Sequence, residues 1–521
     1  MHPDEIALTN DDNPSQNSYT GSMLSLPSGS PAEAWIAARM DEALVYERTQ
    51  YQATRPISFS SWPTLDPLNH STELGSPPWE DSEQIDLANL DSSKAPAGVF
   101  YSFHAYPYYP DFISEDPGYR TYSDSVGGNS YVGYLSELKN HYSGWPVIIA
   151  EFSVPSSWGN VHTAHSGMHH GGHDETTQGE YGARMLQNLA DTGMGGGMLF
   201  AWIDEWWKPT WLTNEFDFPF ARRAHWHNIM APEQNYGLLG FKPEAPSFHT
   251  LRQGDGISAW AGSQITSLEA ATDTSFYRLR LGLAAPLGNG DELLIALDTY
   301  DDSLGEDSLA SSSTTPTNQI ASTVTTGLRN EFLLHLYHDG STWQAQLYVG
   351  SDYDLYGLYG NEHSSNLRSP ATPTGVWNKV KWKNNYGDYS SVSAYTSFYA
   401  QAENVEFNAG ALKVRAIGAS ASSRDAILMD SSQIEIRLPW SLLQFTDPSQ
   451  LQVYHDDPAT TDTQDSRTSN GIAQTILFNG ILQGESERYA WMTWDAPLGN
   501  YSEQLKQSYS VYQNAIANIG N

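Results

Sequence analysis

The chain has no cysteine, so disulfides and thiol chemistry are excluded, and compartment stays open because bacterial secreted proteins often carry no disulfides. Basic residues are scarce. There are 26 Lys and Arg against 61 Asp and Glu, a formal net charge of -35, a field that repels polyanions and excludes nucleic acid as a partner. The plainest use of such charge is solubility, in salty water included. No apolar run approaches the roughly 20 residues needed to cross a bilayer, so no membrane span is expected. The opening MHPDEIALTNDDNPSQ lacks the basic and then apolar order of a signal peptide. Location is left open, with secretion or a bacterial cell surface among the options. No repeat of solenoid or propeller period occurs.

What is present fits globular folding: 521 residues, 39% hydrophobic and 12% aromatic, enough for two or three domains. Asp11 to Gly29 reads as loop. Ser30, Pro31 and Glu33 form a capping-box pattern, and Trp35, Ile36, Met40, Leu44 and Val45 continue at helical spacing, predicting a helix to about Tyr51. RPISFSSW predicts a strand ending at Trp62. After an acidic linker with Trp79, Glu80 and Asp81, a second strand runs from Gly98 to about Tyr106. A helix is expected over Tyr131–His141, a strand at PVIIAEF after Gly144, a helix over Glu175–Thr192 capped by Gly193, and a last strand at GGMLFAW. Strand and helix alternating at this spacing imply a parallel sheet with helical crossovers.

Past about Gln253 the pattern changes to short strands: Phe276–Leu283, Glu292–Tyr300, Phe332–Tyr337 and Thr342–Val349 around a turn at His338–Ser341, and Gln433–Trp440. These predict an antiparallel β-sandwich, with Asp302 to Thr325 as a surface loop. The expected fold class is α/β plus all-β, divided as residues 1–253, a sandwich over 254–500, and a helical tail over 501–521.

The ends of the four parallel strands supply Trp62 with Asp66 and His70, then His104 and Tyr106, then Glu151, then Trp202 with Asp204 and Glu205. Active sites of parallel barrels gather at such ends. Carboxylates attack or protonate a glycosidic bond, and aromatic faces pack on pyranose rings. Blander roles exist: Trp62 and Trp202 as core, Asp66 as a turn residue, Glu205 as a partner of Lys208 or Arg222. Glu151, directly after PVIIA, has little structural reason to be there, since a buried carboxylate is costly.

IIAEF before a Pro-rich loop, FHAYPYYP with its His-x-Tyr, and GGGMLFAWIDEW together resemble the last strands of retaining glycoside hydrolases with a (β/α)8 fold, over roughly Thr54 to Trp211. The resemblance implies Glu151 as nucleophile at the end of strand seven, His104 and Tyr106 positioning it, and Trp202 lining the sugar subsite; Trp62, Asp66, Asp204 and Glu205 stand beside them as substrate-binding candidates from their place at the strand ends. Ser153 departs from the glycine such families often carry there.

Retaining hydrolysis needs a second carboxyl about 5 Å away, which the family takes from strand four. Counting back, RPISFSSW stands as strand five, so only strands five to eight of a partial TIM barrel are present in about 210 residues where a barrel takes about 250. The expectation is the C-terminal part of a longer protein begun at an internal Met, poorly active alone, with the missing N-terminal half of the barrel as a partner. His2, Asp4 and Glu5 lie near the expected acid/base but match no motif.

The stretch HTAHSGMHHGGHDE offers a rival constellation, with His165, His169, His170, His173 and Asp174 as donors suited to zinc. Its spacing matches no established metal motif, and a loop covering substrate is the preferred reading; no metal or cofactor is expected. SFYRLRLGL, ELLIALDTYDDSLG and IEIRLPWSLLQFTDP resemble sandwich modules related to the family-nine carbohydrate-binding type. That resemblance implies sugar binding or docking on the barrel. Trp343, Tyr348, Tyr353 and Tyr356 are weighed for stacking on a glycan, with core or surface packing as the preferred reading. Asp298, Asp301 and Asp302 are weighed as a calcium loop, with a hydrated acidic loop as the preferred reading. The sequence therefore supports a retaining glycoside hydrolase, or a fragment of one, acting on an oligo- or polysaccharide. The alternatives are a noncatalytic carbohydrate-binding or cell-surface protein on a barrel remnant and, third, a metal-dependent hydrolase.

Overall fold

The structure, a computed structural model, describes residues 2–519 apart from 71–82, 215–216, 245, 253–259, 261, 310–323, 355–370, 385–405, 458, 462–464 and 496–500. The Trp79–Asp81 linker and Tyr356 lie outside the described residues.

The chain is mixed α/β: a small parallel sheet with helices, and a large, curled, mostly antiparallel sheet. The parallel sheet runs β1 (Ser60–Ser61), β2 (Tyr101–His104), β3 (Val147–Phe152) and β4 (Gly196–Leu199) in chain order. Helices α1 (Pro3–Asp12), α2 (Pro31–Tyr51), α3 (Ser130–His141) and α4 (Glu175–Asp191) accompany it. The capping box of α2 forms as its sequence predicts: Glu33 N–H donates to Ser30 Oγ at 3.2 Å and Ser30 N–H to Glu33 Oε2 at 2.7 Å. Gly193, at φ +74°, follows α4 in the left-handed conformation that glycine tolerates.

Alternation along the strands decides which face is covered. Val147, Ile149 and Phe152 pack in a core with Leu44, Leu138 and Leu189. The other face is open: Ile148 and Ala150 are only half-buried, and Met198 is 59% exposed. The RPISFSSW strand shrinks to Ser60–Ser61 plus one bridge from Ile57 to Val99.

Beyond β4, Ile203 bridges in parallel to Leu239. Leu239 begins a strand, Leu239–Pro243, that pairs antiparallel with Tyr501–Leu505. The tail expected to be helical is thus a strand followed by helix α5 (Gln507–Asn518), where Tyr512 enters the core beside α4.

In place of two stacked sheets, the second region forms one continuous sheet of twelve strands. Its path runs from Ile481–Glu485 through Glu292–Asp298, Phe332–His338 and Trp343–Gly350 to Ala411–Ala416, then through Asp425–Met429, Gln433–Pro439 and Phe276–Leu283 to His249–Arg252. The Ala345–Leu412 and Gln346–Ala411 pairs join the halves, and Ala411–Ala416 with Asp425–Met429 is a parallel pair. Leu279, Leu334, Leu347, Ile436 and Trp440 share its core. The Asp302–Thr325 stretch contains a strand, Glu306–Leu309, that pairs with Val324–Asn330. Trp158, Trp226 and Met230 from the first region enter this second core and close the seam between the sheets.

Candidate active site

Glu151 lies at the C-terminal end of β3, in register with His104 of β2. Register shifts fall at Phe103/His104 and between Ile149 and Phe152, the kind of irregularity that re-aims a side chain at a strand end. The Tyr106 hydroxyl donates to Glu151 Oε2 at 3.0 Å, and His104 Nδ1 sits 3.2 Å from the same oxygen. Oε1 has no hydrogen bond among the described residues, and the side chain is 29% exposed. One carboxylate oxygen is therefore held and the other open.

His104 and Trp62 line an open cleft of about 460 Å³ with Ser60, Ser61, His2 and Glu5. Trp62 stacks on Tyr109 at 6.2 Å. Of the N-terminal residues weighed from sequence, His2 and Glu5 reach this cleft, and Glu5 Oε2 accepts from His2 N–H at 2.8 Å. Asp4 lies 3.5 Å from the His2 ring.

Behind Tyr106 lies a polar and aromatic network that the sequence did not disclose. Its ring neighbours are Tyr108 at 5.4 Å and Tyr236 at 6.1 Å, and the Tyr108 and Tyr236 hydroxyls are hydrogen-bonded to each other. His170 stacks on Tyr108 at 4.4 Å, and its Nε2 is 3.1 Å from Glu233 Oε1. Lys208 Nζ completes the row, 2.9 Å from Glu233 Oε2 and 4.4 Å above the Phe200 ring. Burial raises the Glu233 carboxyl, but His170 and Lys208 overcome it and hold it near 2. Burial takes His170 down to about 4, so near neutrality it is an uncharged ring against a charged carboxylate. Burial, Tyr108 and the two carboxylates Glu151 and Glu233 push the Tyr106 phenol well above its ordinary value, so it remains a donor. Glu233 and Tyr236 come from APEQNYG, whose only sequence signal is its turn chemistry.

The other predicted residues fall elsewhere. Trp202 is 57% exposed and meets Tyr509 of α5; the ring at the end of β4 that joins the network is Phe200, 5.2 Å from Tyr236. Asp66 is buried, accepting from Leu68 N–H and the Tyr134 hydroxyl, each at 2.8 Å. Asp204 is buried against Lys506 Nζ at 2.6 Å and accepts from Gly237 N–H. Glu205 pairs with Lys208 at 3.5 Å, while Arg222 pairs with Asp447 and Asp495.

The histidines of the loop between β3 and α4 go to separate partners. His162 lies 3.4 Å from Asp111, His170 joins the tyrosines, and His173 bonds the His169 carbonyl at 3.1 Å. His165 is exposed and Asp174 caps α4 through Thr177 N–H. Among the described residues no group of three or more such donors could hold a metal ion. Asp298 and Asp302 pair with Arg488, and Asp301 with Arg467, which leaves these carboxylates matched by arginine. Tyr348 and Tyr353 are core residues, and Trp343 is half-buried against His338. No helix among the described residues is long and apolar enough to cross a membrane.

No protein-family model matches the chain, and no curated protein matches it. Among solved structures, a Bacteroides uniformis beta-glucuronidase 2 covalently bound to cyclophellitol-6-carboxylate aziridine is similar at 13% identity, over 48% of this chain and 25% of that one, with a TM-score of 0.16. A second structure of a Bacteroides uniformis beta-glucuronidase gives the same identity, coverage and TM-score. A calcium-binding mutant of beta-glucuronidase 2 matches at 13% identity and TM-score 0.15, over 48% of this chain and 24% of its own. The chain thus spans about a quarter of the proteins it resembles, a distant and partial likeness to a glycoside hydrolase.

Proposed function

We propose that the chain carries the nucleophile half of a retaining glycoside hydrolase, with Glu151 forming the covalent glycosyl-enzyme on an oligo- or polysaccharide. The observation that supports this reading is the asymmetric environment of Glu151. Tyr106 and His104 both address Oε2, while Oε1 is open at the mouth of a parallel sheet. A nucleophile needs a defined orientation and one accessible lone pair, and the Tyr106 hydroxyl with the His104 ring beside it supplies the first without blocking the second. Trp62 offers an apolar face beside the cleft for a sugar ring.

On this reading residues 1–253, with the tail strand and helix of 501–521 docked on them, act as the last four units of a (β/α)8-type domain. Residues 254–500 serve as an ancillary module for carbohydrate built on the curled sheet. Glu5 is the carboxylate on the cleft wall.

The test is a 2-fluoro sugar with an activated leaving group, which needs no acid for the first displacement. Intact-mass and peptide mass spectrometry should find one sugar on Glu151, absent in Glu151→Gln. A folded protein that binds polysaccharide and takes no label across a panel of such sugars would favour the noncatalytic binding scaffold. Turnover retained in Glu151→Gln would sink the assignment outright.

A further inference from the structure

A second cavity, of about 590 Å³, lies at the seam between the two sheets, a size typical of small-molecule sites. It shares no side chain with the cluster around Glu151. Its walls are the Phe276–Leu283 and Gln433–Pro439 strands on one side and Leu239–Pro243 with Gln504 to Gln507 on the other. Its charge runs against that of the whole chain. Lys242, Arg278, Arg415, Arg437 and Lys506 face it, five of the 26 basic residues, against the four carboxylates Glu175, Asp204, Glu244 and Asp425.

Some of these cations are matched locally. Lys506 meets Asp204 at 2.6 Å, and Arg415 meets Asp425 at 2.5 Å. Two others stand out because of where the strands put them: Arg278 and Arg437 are direct cross-strand partners. Like charges directly opposite on antiparallel strands repel. Arg437 donates Nε to the Asp425 carbonyl at 2.6 Å and Nη2 to the Ser423 carbonyl at 2.8 Å. Among the described residues no carboxylate accepts from it and no group accepts from its Nη1. Arg278 donates Nε to Asp273 Oδ2 at 2.6 Å, leaving its two terminal nitrogens. The Trp158 and Phe276 rings, 5.2 and 4.8 Å from the Arg437 guanidinium, hold its plane in place. Burial first, and Arg278 next, lower Arg437 to about 10, with the charges of Asp273, Asp425 and Glu175 opposing the drop.

We propose that this cavity binds a sugar bearing an oxyanion, a carboxylate or a sulfate, gripped between the forks of Arg278 and Arg437. Planar guanidinium pairs match such groups with parallel charge-assisted hydrogen bonds, and an anion between the two converts their repulsion into attraction on both sides. Phe241 on the cavity wall supplies a face for the ring. The oxyanion part stands on the arginine pair alone; the sugar carrier rests on the hydrolase reading above.

Isothermal titration of the full chain at constant ionic strength, with D-glucuronate, D-glucose 6-sulfate, inorganic sulfate and D-glucose, tests it. Saturable binding of both acidic sugars is expected, weakened at least about tenfold in Arg278→Gln because hydrogen bonds to a charged group are the strong class. Arg278→Lys, which keeps the charge and loses the fork, falls between. Melting curves confirm that each variant folds, and Arg437→Gln serves if Arg278→Gln does not. Binding unchanged in Glu151→Gln separates this cavity from the other cleft. A chain that binds acidic sugars here but takes no label on Glu151 keeps this site and loses the hydrolase. Inorganic sulfate binding as tightly as the sugars keeps the oxyanion site and removes the sugar carrier. No binding by any anion, equal binding of D-glucose, or loss of binding in Glu151→Gln overturns the proposal.

Discussion

Replacing Lys506 by methionine tests how the C-terminal tail is fastened to the parallel sheet. Lys506 is buried, and its ammonium reaches Asp204 Oδ1 at 2.6 Å, Ser156 Oγ at 3.1 Å and the Asn235 carbonyl at 3.2 Å. Methionine keeps the length and apolar stem and strands the Asp204 carboxyl. Removing one partner of a buried pair costs about 3–5 kcal/mol. The pH dependence is more diagnostic. Burial raises the Asp204 carboxyl from 3.8 to about 6, with Lys506 and Gly237 N–H opposing the rise. The folded chain therefore holds this proton more tightly than the unfolded chain, and stability from the group is present below about pH 4 and lost as pH climbs to about 6. In wild type the loss stops there, because the folded carboxyl then ionises as well. Without the ammonium the folded value rises further and the loss continues, so the gap between wild type and variant widens above pH 6 by about 1.4 kcal/mol per pH unit. Denaturant melts at pH 5, 6.5 and 8 read this directly, and Asp204→Asn/Lys506→Met should close much of the gap at pH 8. A gap that stays flat or narrows from pH 5 to 8 would refute a buried ionised Asp204 held by Lys506.

Three further outcomes follow from the same contacts. Tyr106→Phe removes the donor to Glu151 Oε2. It should slow fluoro-sugar labelling about 10- to 100-fold, the equivalent of roughly 1.5–3 kcal/mol for a hydrogen bond to a charged group, with the melting temperature little changed. Glu233→Gln should erase an acid limb of stability: the Glu233 carboxyl is held near 2 against an ordinary 4.5, so its contribution is complete above 4.5 and disappears as pH falls toward 2, which melts between pH 2.5 and 5 measure. Asp66→Ala leaves the Leu68 N–H and the Tyr134 hydroxyl without this acceptor in a buried site. A loss of about 1–3 kcal/mol per stranded group is expected by denaturant titration, and a neutral result would return Asp66 to the list of cleft residues.

The places where sequence reasoning succeeded are those governed by local chemistry. The Ser30–Glu33 box, the helix over Glu175–Asp191 and the β-branched run before Glu151 each depend on residues within one or two turns, and each forms where periodicity and capping put it. Trp202 shows the opposite case. Its position after GGMLFA suggested a wall of the sugar site, but the chain turns at the end of β4, so Phe200 enters the network and Trp202 reaches Tyr509 instead. Asp204 and Asp66 are carboxylates near strand ends. Whether such a group faces a cleft or a lysine 302 positions away is settled by packing partners no local window contains.

By itself, the amino-acid order determined the parallel half, its alternation of strand and helix, and the carboxylate at the end of Val147–Phe152, because hydrophobic period and turn chemistry act over a few residues. Only the tertiary structure decided the rest. It routed Tyr501–Asn518 back onto the first sheet, joined the later strands into one curled sheet through Ala345–Leu412, gathered Tyr106, Tyr236, His170 and Glu233 behind Glu151, and set Arg278 opposite Arg437. Those are pairings between residues far apart in sequence, fixed by register and burial, and no short stretch of chain encodes its distant partner.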